Sequence, residues 1–408
     1  MRLILVFLPL FLSVILLQLS TGGVGPLDAL SGLANGFSAT EVGLLGSAHF
    51  FGFFIGCWWA PRLMGRVGHS RSFAAFTTVG AIGLLAHFLV INPYAWAVMR
   101  VGSGLCVAGC YTVIEAWLQA RLTNRIRGRA MGIYRIVDMG ASLAAQLAIT
   151  VLEPNSYVSY NLLALICCAA ILPLLLTRAI PPHTPAAPRL RPMLAVMCSP
   201  LATAGVVVAA LGSASFRMVG PVYGIEMGLR VDQIAWFLAA FVFGGAVVQY
   251  PVGWLADKYD RRWVLIGLSG AAILSCGSMI MLSQTSTAAL MTLACLFGIT
   301  TFPVFSVASA HAHDFAHSNE RVELSAALLF FYALGAIAAP YLASGLMQWF
   351  APEALFVMIS AGHVVLILLG VYRMRRRPTQ DRRTAYVYAP RTSFIVGRLM
   401  KRLREPPG

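Results

Sequence analysis

Five ionisable side chains sit inside long apolar runs: Arg100, Glu115, Arg135, Asp138 and Arg217. A charge at the centre of a membrane-spanning helix costs roughly 2.5–3.5 kcal/mol on insertion scales, so it is retained where it is paired or faces a wet cavity. A carboxylate in such a place, Glu115 or Asp138, can hold and release a proton. An arginine there can grip an anionic or carboxylated ligand with its planar fork of donors. Glu115 follows Arg100 by fifteen residues, close to four helical turns, so the two share a face. Arg135 and Asp138 are spaced i,i+3 and can simply pair with each other. The sharper reading joins Glu115, Arg135 and Asp138 in a network that breaks as an inner gate moves. Arg100 has the alternative of snorkelling to the outer surface, and Arg217 that of neutralisation by Glu226.

A second constellation is Gly253-Trp254-Leu255-Ala256-Asp257-Lys258-Tyr259-Asp260-Arg261-Arg262, a charged turn between two apolar runs. Gly253 allows close packing, and Asp257 is followed at once by Lys258, Arg261 and Arg262. Weaker polar candidates are Gln18, Gln146, Gln249, His49 and His87, whose commoner use is hydrogen bonding between helices. His311, His313, Asp314 and His317 invite a metal reading, but a histidine at a helix C-terminus is also favoured by the helix dipole; no metal or cofactor is expected. Gly335 and Pro340 mark a kinked helix. The chain has no phosphate-binding Gly-x-x-x-x-Gly-Lys-Ser/Thr loop, no serine elbow and no His-Glu-x-x-His motif. With no soluble domain large enough for an active site, it is not expected to be an enzyme.

The elements that must carry these residues are helices in a bilayer. The 408 residues are 59% hydrophobic and 11% charged, with mean hydropathy +0.77; a soluble domain carries about 25% charged residues. Apolar runs long enough to span a bilayer recur along the chain. The pattern predicts twelve spans near 3–21, 42–61, 73–91, 94–120, 131–152, 157–177, 201–225, 233–256, 263–283, 288–310, 324–349 and 352–372. All but four of the 30 Lys and Arg fall in alternate connections or the termini, the exceptions being Arg100, Arg135, Arg217 and Arg230. That separation puts both termini in the cytoplasm. It also accounts for the net charge of +15 without nucleic acid. Ser38 to Glu41 fits a capping box before the second span, and Asp232 can cap the eighth. The eight cysteines contain no Cys-x-x-Cys pair and read as packing residues. The first apolar run reads as a retained helix, longer than a signal-peptide core.

Residues 178–200, with Pro181, Pro182, Pro185, Pro188 and Pro192, read as an extended linker. It divides the chain into a six-helix bundle at 1–177 and another at 201–372, followed by a basic tail at 373–408. In the tail Ile395, Val396, Leu399, Met400 and Leu403 recur at helical spacing among basic residues. Such a helix would lie on anionic lipid; the alternative is a solvated tail.

A shift of 192 residues lays Gly52 on Gly244 and Gly68 on Asp260, so the halves repeat. The charged turn at Gly253 to Arg262 resembles the Gly-x-x-x-Asp-x-x-Gly-Arg-Arg loop of the major facilitator superfamily, with Asp260 where the family has Gly. The first-half copy, Pro61 to Arg71, keeps the basic turn but has Gly65 in place of the acid. Arg100 to Gly104 resembles the family's Arg-x-x-x-Gly pattern in the fourth helix. Arg127-Gly128-Arg129 after Glu115, with Gly253 to Asp257, looks like the bacterial YcaD-like branch. The resemblance implies an all-α membrane protein of twelve transmembrane helices in two pseudo-symmetric six-helix bundles. It implies a secondary active transporter of the bacterial inner membrane working by alternating access. A proton would couple through Glu115 and Asp138, Arg100 and Arg217 would face the cavity, and Asp257, Lys258, Arg261 and Arg262 would latch a cytoplasmic gate. The expected partners are a small-molecule substrate and anionic lipids at the tail, with the chain acting as a monomer. Three intramembrane arginines against two acids favour an anionic or polar substrate. A multidrug-type efflux pump, and a non-transporting receptor or lipid-handling protein, are the alternatives.

Overall fold

The computed structural model describes residues 2–122, 126–176, 188–282, 286–317 and 319–376, and in the C-terminal segment residues 384, 386, 389, 391–395 and 397–398. The described elements are helices: α1 (Arg2–Ala34), α2 (Ala39–Val67), α3 (His69–Ala86), α4 (Pro93–Arg121), α5 (Arg127–Leu147), α6 (Tyr157–Ala169), α7 (Leu172–Leu176), α8 (Pro192–Cys198), α9 (Pro200–Glu226), α10 (Val231–Val247), α11 (Gln249–Lys258), α12 (Arg261–Leu282), α13 (Thr287–Thr301), α14 (Val304–His313), α15 (Arg321–Trp349) and α16 (Ala354–Arg376). Helices close their backbone hydrogen bonds internally, which lipid demands. The pairs α6–α7, α10–α11 and α13–α14 each make one crossing with a break; Pro303, which lacks an N–H, sits at the last of these breaks. Ten crossings among the described residues are long and apolar enough to span a membrane. The more polar α3 and α5 overlap the third and fifth predicted spans in chain order but are not among those ten. Outward-facing apolar side chains such as Leu89, Val151, Leu274 and Met281 form a surface suited to lipid.

Helix α1 departs from expectation. The span predicted near 3–21 runs on to Ala34, through Gly22, Gly23, Gly25 and Pro26, which read as a loop in sequence. Membrane helices tolerate Gly and Pro where neighbours pack closely, and a Cβ at Gly22 would lie 3.0 Å from the Ala145 Cβ of α5. The actual stop is Asn35-Gly36, with Gly36 in the left-handed region at φ 82°. The capping box follows as predicted: Ser38 accepts from the Glu41 N–H, and the Glu41 carboxylate accepts from the Ser38 N–H. Asp232, expected as a cap, lies inside the first turn of α10 and pairs with Arg230 at 2.7 Å, while Gln233 accepts from the Arg230 N–H. The linker is not extended throughout: 192–198 form α8, begun by Pro192, whose ring suits a first helical turn. Leu194, Ala195 and Cys198 bury themselves in the second-half core.

The sequence repeat is visible as a repeated crossing. A Cβ on Gly52 would stand 2.0 Å from the Val101 carbonyl oxygen, and one on Gly104 1.8 Å from that of His49. The same crossing of α10 and α13 sets Gly244 against the Cys295 carbonyl and Gly298 against that of Phe241, each at 2.1 Å. Backbone meets backbone there, so no rotamer change relieves an added side chain. Gly104→Leu is expected to destabilise the first half by about 3 kcal/mol or more. Detergent-solubilised protein should show a lowered melting temperature and lost monodispersity on gel filtration; a native melting curve would contradict this packing.

Candidate functional site

Between the halves lies a cavity of ≈ 160 Å³. Helix α1 brings Gln18 and Thr21 to it, α5 brings Arg135, Asp138, Ser142 and Gln146, and α9 brings Ser213 and Arg217. His49 of α2, Tyr111 of α4 and Tyr332 of α15 complete the polar wall. Phe50, Phe53 and Phe302 supply apolar surface. Asp138 is the carboxylate of this lining among the described residues. It accepts from Gln18 Nε2 at 2.9 Å and from the Tyr111 hydroxyl, and lies 3.7 Å from Arg135. Arg135 also stacks over Tyr134 at 5.0 Å. Arg217 reaches across from the second half to donate to Ser142 Oγ at 2.9 Å. Arg217 is half-buried at the cavity wall, where a guanidinium can present its fork of donors to an anion.

Arg100 is elsewhere. It is 1% exposed, at 3.5 Å from Asp28 Oδ2, and it neither faces the cavity nor snorkels. Asp28 also meets His87 Nε2 at 3.4 Å and accepts from the Tyr160 hydroxyl at 2.7 Å. Arg100 Nη2 touches Met218 Sδ of α9 at 3.6 Å, so this cluster abuts the other half. Asp28 is a third intramembrane acid that the sequence reading leaves outside the membrane, because it ends the first span too early. Glu115 is fully buried but accepts from the Thr392 and Ser393 hydroxyls of the C-terminal segment. Glu115 thus bonds the segment directly, while the charges of Arg135 and Asp138 in the cavity wall act on it through space.

The cavity's two ends differ. At the end opposite the basic loops, α2 presses on α15: a Cβ on Gly43 would stand 1.8 Å from Ser344 Oγ and 2.6 Å from the Pro340 carbonyl. Thr40 Oγ1 donates to Gln348 at 2.6 Å and the Tyr341 N–H to Ser47 at 3.3 Å. These contacts seal the halves together there. The family model of the Major Facilitator Superfamily matches residues 10–231 and 202–407. The chain belongs to the major facilitator superfamily. It is 28% identical over 331 residues to the uncharacterized MFS-type transporter YcaD of Escherichia fergusonii, covering 81% of this chain and 85% of the relative. It is also 28% identical over 341 residues to an uncharacterized MFS-type transporter of Enterobacter sp. (strain 638), covering 83% and 88%. Both bear out the YcaD-like resemblance. Among solved structures it shares the fold of the nucleoside transporter NupG (TM-score 0.73, 15% identity, 92% of this chain and 100% of that one). A bacterial homologue of the human lysosomal transporter Spinster, in an inward-facing and occupied conformation, gives 0.71 at 15% identity over 92% and 96%.

The superfamily's charged loop can now be placed. Arg261, 1% exposed, donates to the Ala256 and Ala310 carbonyls and pairs with Asp314 at 2.6 Å and Asp257 at 3.3 Å. Burial pushes the Asp314 carboxyl up, against the opposing pull of Arg261 and Thr384. Asp260, where the family has Gly, caps α12: it accepts the Arg262 N–H at 3.0 Å and pairs with the Arg262 guanidinium at 2.7 Å. Lys258 lies over Trp254 at 4.7 Å. Gly253 leaves room for the Tyr386 ring, 2.7 Å from where a Cβ would be. The loop thus staples α11, α12 and α14 within one half and to the C-terminal segment. Of the histidine cluster, His313 bonds Ser309 O at 2.7 Å and Ser325 Oγ at 3.1 Å, which occupies both ring nitrogens. The amphipathic pattern beginning at Arg391 does not face lipid over its described part: Phe394 and Ile395 are buried against the bundles. Residues 399–408 and the basic run at 377–383 lie outside the described residues.

Proposed function

We propose that the protein is a secondary active transporter that carries a small anionic or polar molecule by alternating access. The carrying observation is the cavity wall: among its described lining residues Arg135, Arg217 and Arg391 share it with one carboxylate, Asp138, between two halves that pack together through α2 and α15. Two bundles that touch around a central site can rock against each other. An efflux pump for cationic drugs would place acids, not three arginines, on this wall. The basic ends of the helices stand in the cytoplasm and the protein works as a monomer in a bacterial inner membrane. Arg373 and Arg375, at the end of α16, meet anionic lipid there at about 1 kcal/mol each.

The reading is tested by thermal stabilisation of purified protein with carboxylates, sugar phosphates, neutral metabolites and cationic drugs. Anionic ligands are expected to stabilise it, and Arg217→Gln to weaken them at least about tenfold. Stabilisation by cationic compounds alone would remove it. Coupling to a proton runs through Asp138, which meets the cavity, rather than Glu115, which does not. Asp138→Asn is therefore expected to abolish the dependence of uptake on an imposed pH gradient, and Glu115→Gln to leave it in place. The reverse pattern would return the coupling role to Glu115.

A further inference from the structure

The C-terminal segment lies across the mouth of the cavity at the basic end and touches both halves. On the second half, Thr384 donates to Asp314 at 2.8 Å through its N–H, and the Tyr386 N–H to Asp257 at 2.6 Å. The Ala389 N–H donates to Ser306 at 3.2 Å. Arg391 donates to Ser213 at 3.1 Å and stands over Phe302, Phe305 and Tyr332 at 5.1, 5.6 and 5.1 Å. On the first half, Thr392 and Ser393 bond the buried Glu115, Phe394 packs edge-on to Phe54 at 6.2 Å, and Ile395 enters the core. No carboxylate pairs with Arg391 among the described residues, and its side chain lines the cavity.

We propose that Arg391 to Ile395 form the removable floor of the solute site, latched on Glu115, with Arg391 as a solute-binding cation that leaves when the floor does. An arginine held by aromatic faces and one neutral hydroxyl keeps donors for an anion. Glu115, in a closed apolar setting, needs hydrogen-bond donors, and the segment supplies two. The floor lies between the halves at the end opposite the α2–α15 seal. Closing the halves at the basic end would take the space it occupies. Occupancy by the segment and closure of that end are thus mutually exclusive, and the segment holds the transporter with its opposite end sealed. The inference rests on the transporter reading only for this consequence; the contacts stand without it.

The test needs no substrate. In inside-out vesicles of full-length protein carrying Thr21→Cys, the labelling rates of an anionic and a cationic methanethiosulfonate are followed by peptide mass spectrometry. Thr392→Ala with Ser393→Ala is expected to raise both rates at least about tenfold, since two hydrogen bonds to a carboxylate are lost. Arg391→Ala is expected to lower the anionic-to-cationic rate ratio about threefold. Independently, Phe394→Cys should form a disulfide with native Cys57, whose thiol faces the Phe394 backbone, on mild oxidation. Labelling rates unaffected by the double substitution, an unchanged ratio, or a freely reactive Cys at 394 that never joins Cys57 would each overturn the proposal. Because none of these readouts involves flux, failure of the transporter reading would show separately.

Discussion

Asp28→Asn is expected to be the most damaging single-atom-scale change in the protein. Asp28 and Arg100 are each 1% exposed, and Tyr160 and His87 complete the cluster. The substitution keeps size and hydrogen-bonding capacity but leaves the Arg100 guanidinium buried without its counter-charge. Removing one partner of a buried pair costs about 3–5 kcal/mol, because the surviving charge has nowhere to go. The measured result should be a markedly lower melting temperature in detergent and a reduced yield from membranes. Adding Arg100→Gln should restore much of the loss, as expected for coupled rather than additive sites. A single variant as stable as the native protein, or a double variant worse than the sum of its parts, would show that the pair is not the keystone of this interface.

Gly43→Trp is expected to shift conformation rather than unfold the chain. The clash is as severe as at Gly104, with a Cβ 1.8 Å from Ser344 Oγ. The two sites differ in what can move. Gly104 packs within one half, whereas Gly43 packs against the other half, and halves can separate as rigid bodies. An overpacking cost of about 1–3 kcal/mol moves a two-state equilibrium by about 5- to 150-fold. With Thr21→Cys as reporter, labelling by a charged thiol reagent applied from the end opposite the basic loops should rise accordingly, while the melting temperature falls little. Unchanged labelling with a collapsed melting curve would mean that the α2–α15 contact is part of the core and not a seal.

Much of this architecture is legible in residue types. Apolar runs, basic connections and the Ser38 box give the class, the crossings and one helix start, because each rests on local chemistry. The glycines at 52 and 244 mark real crossings, since only a missing Cβ allows backbones so close. Asp28 escapes because Gly22, Gly23 and Pro26 look like a loop to local propensity, and only packing against α5 and α9 makes them helix. That single boundary changes the function of Arg100 from cavity cation to half of a buried pair. The role of the C-terminal segment is equally hidden, since Thr392 and Ser393 meet Glu115 across 277 and 278 residues of sequence. No pattern of spacing reports such a contact. Arg135, Asp138 and Arg217 were identifiable because a charge in an apolar run has few tolerable explanations, and the cavity between the halves is one of them.

The most direct measurement is flux through purified protein in proteoliposomes, over a panel of carboxylates, phosphorylated metabolites, nucleosides and cationic drugs, with and without an inward proton gradient. The account predicts saturable, gradient-stimulated movement of an anionic or polar compound that Arg217→Gln and Asp138→Asn each reduce at least about tenfold. Folded protein that moves none of these compounds, or moves only cationic drugs with Arg217→Gln fully active, would contradict it.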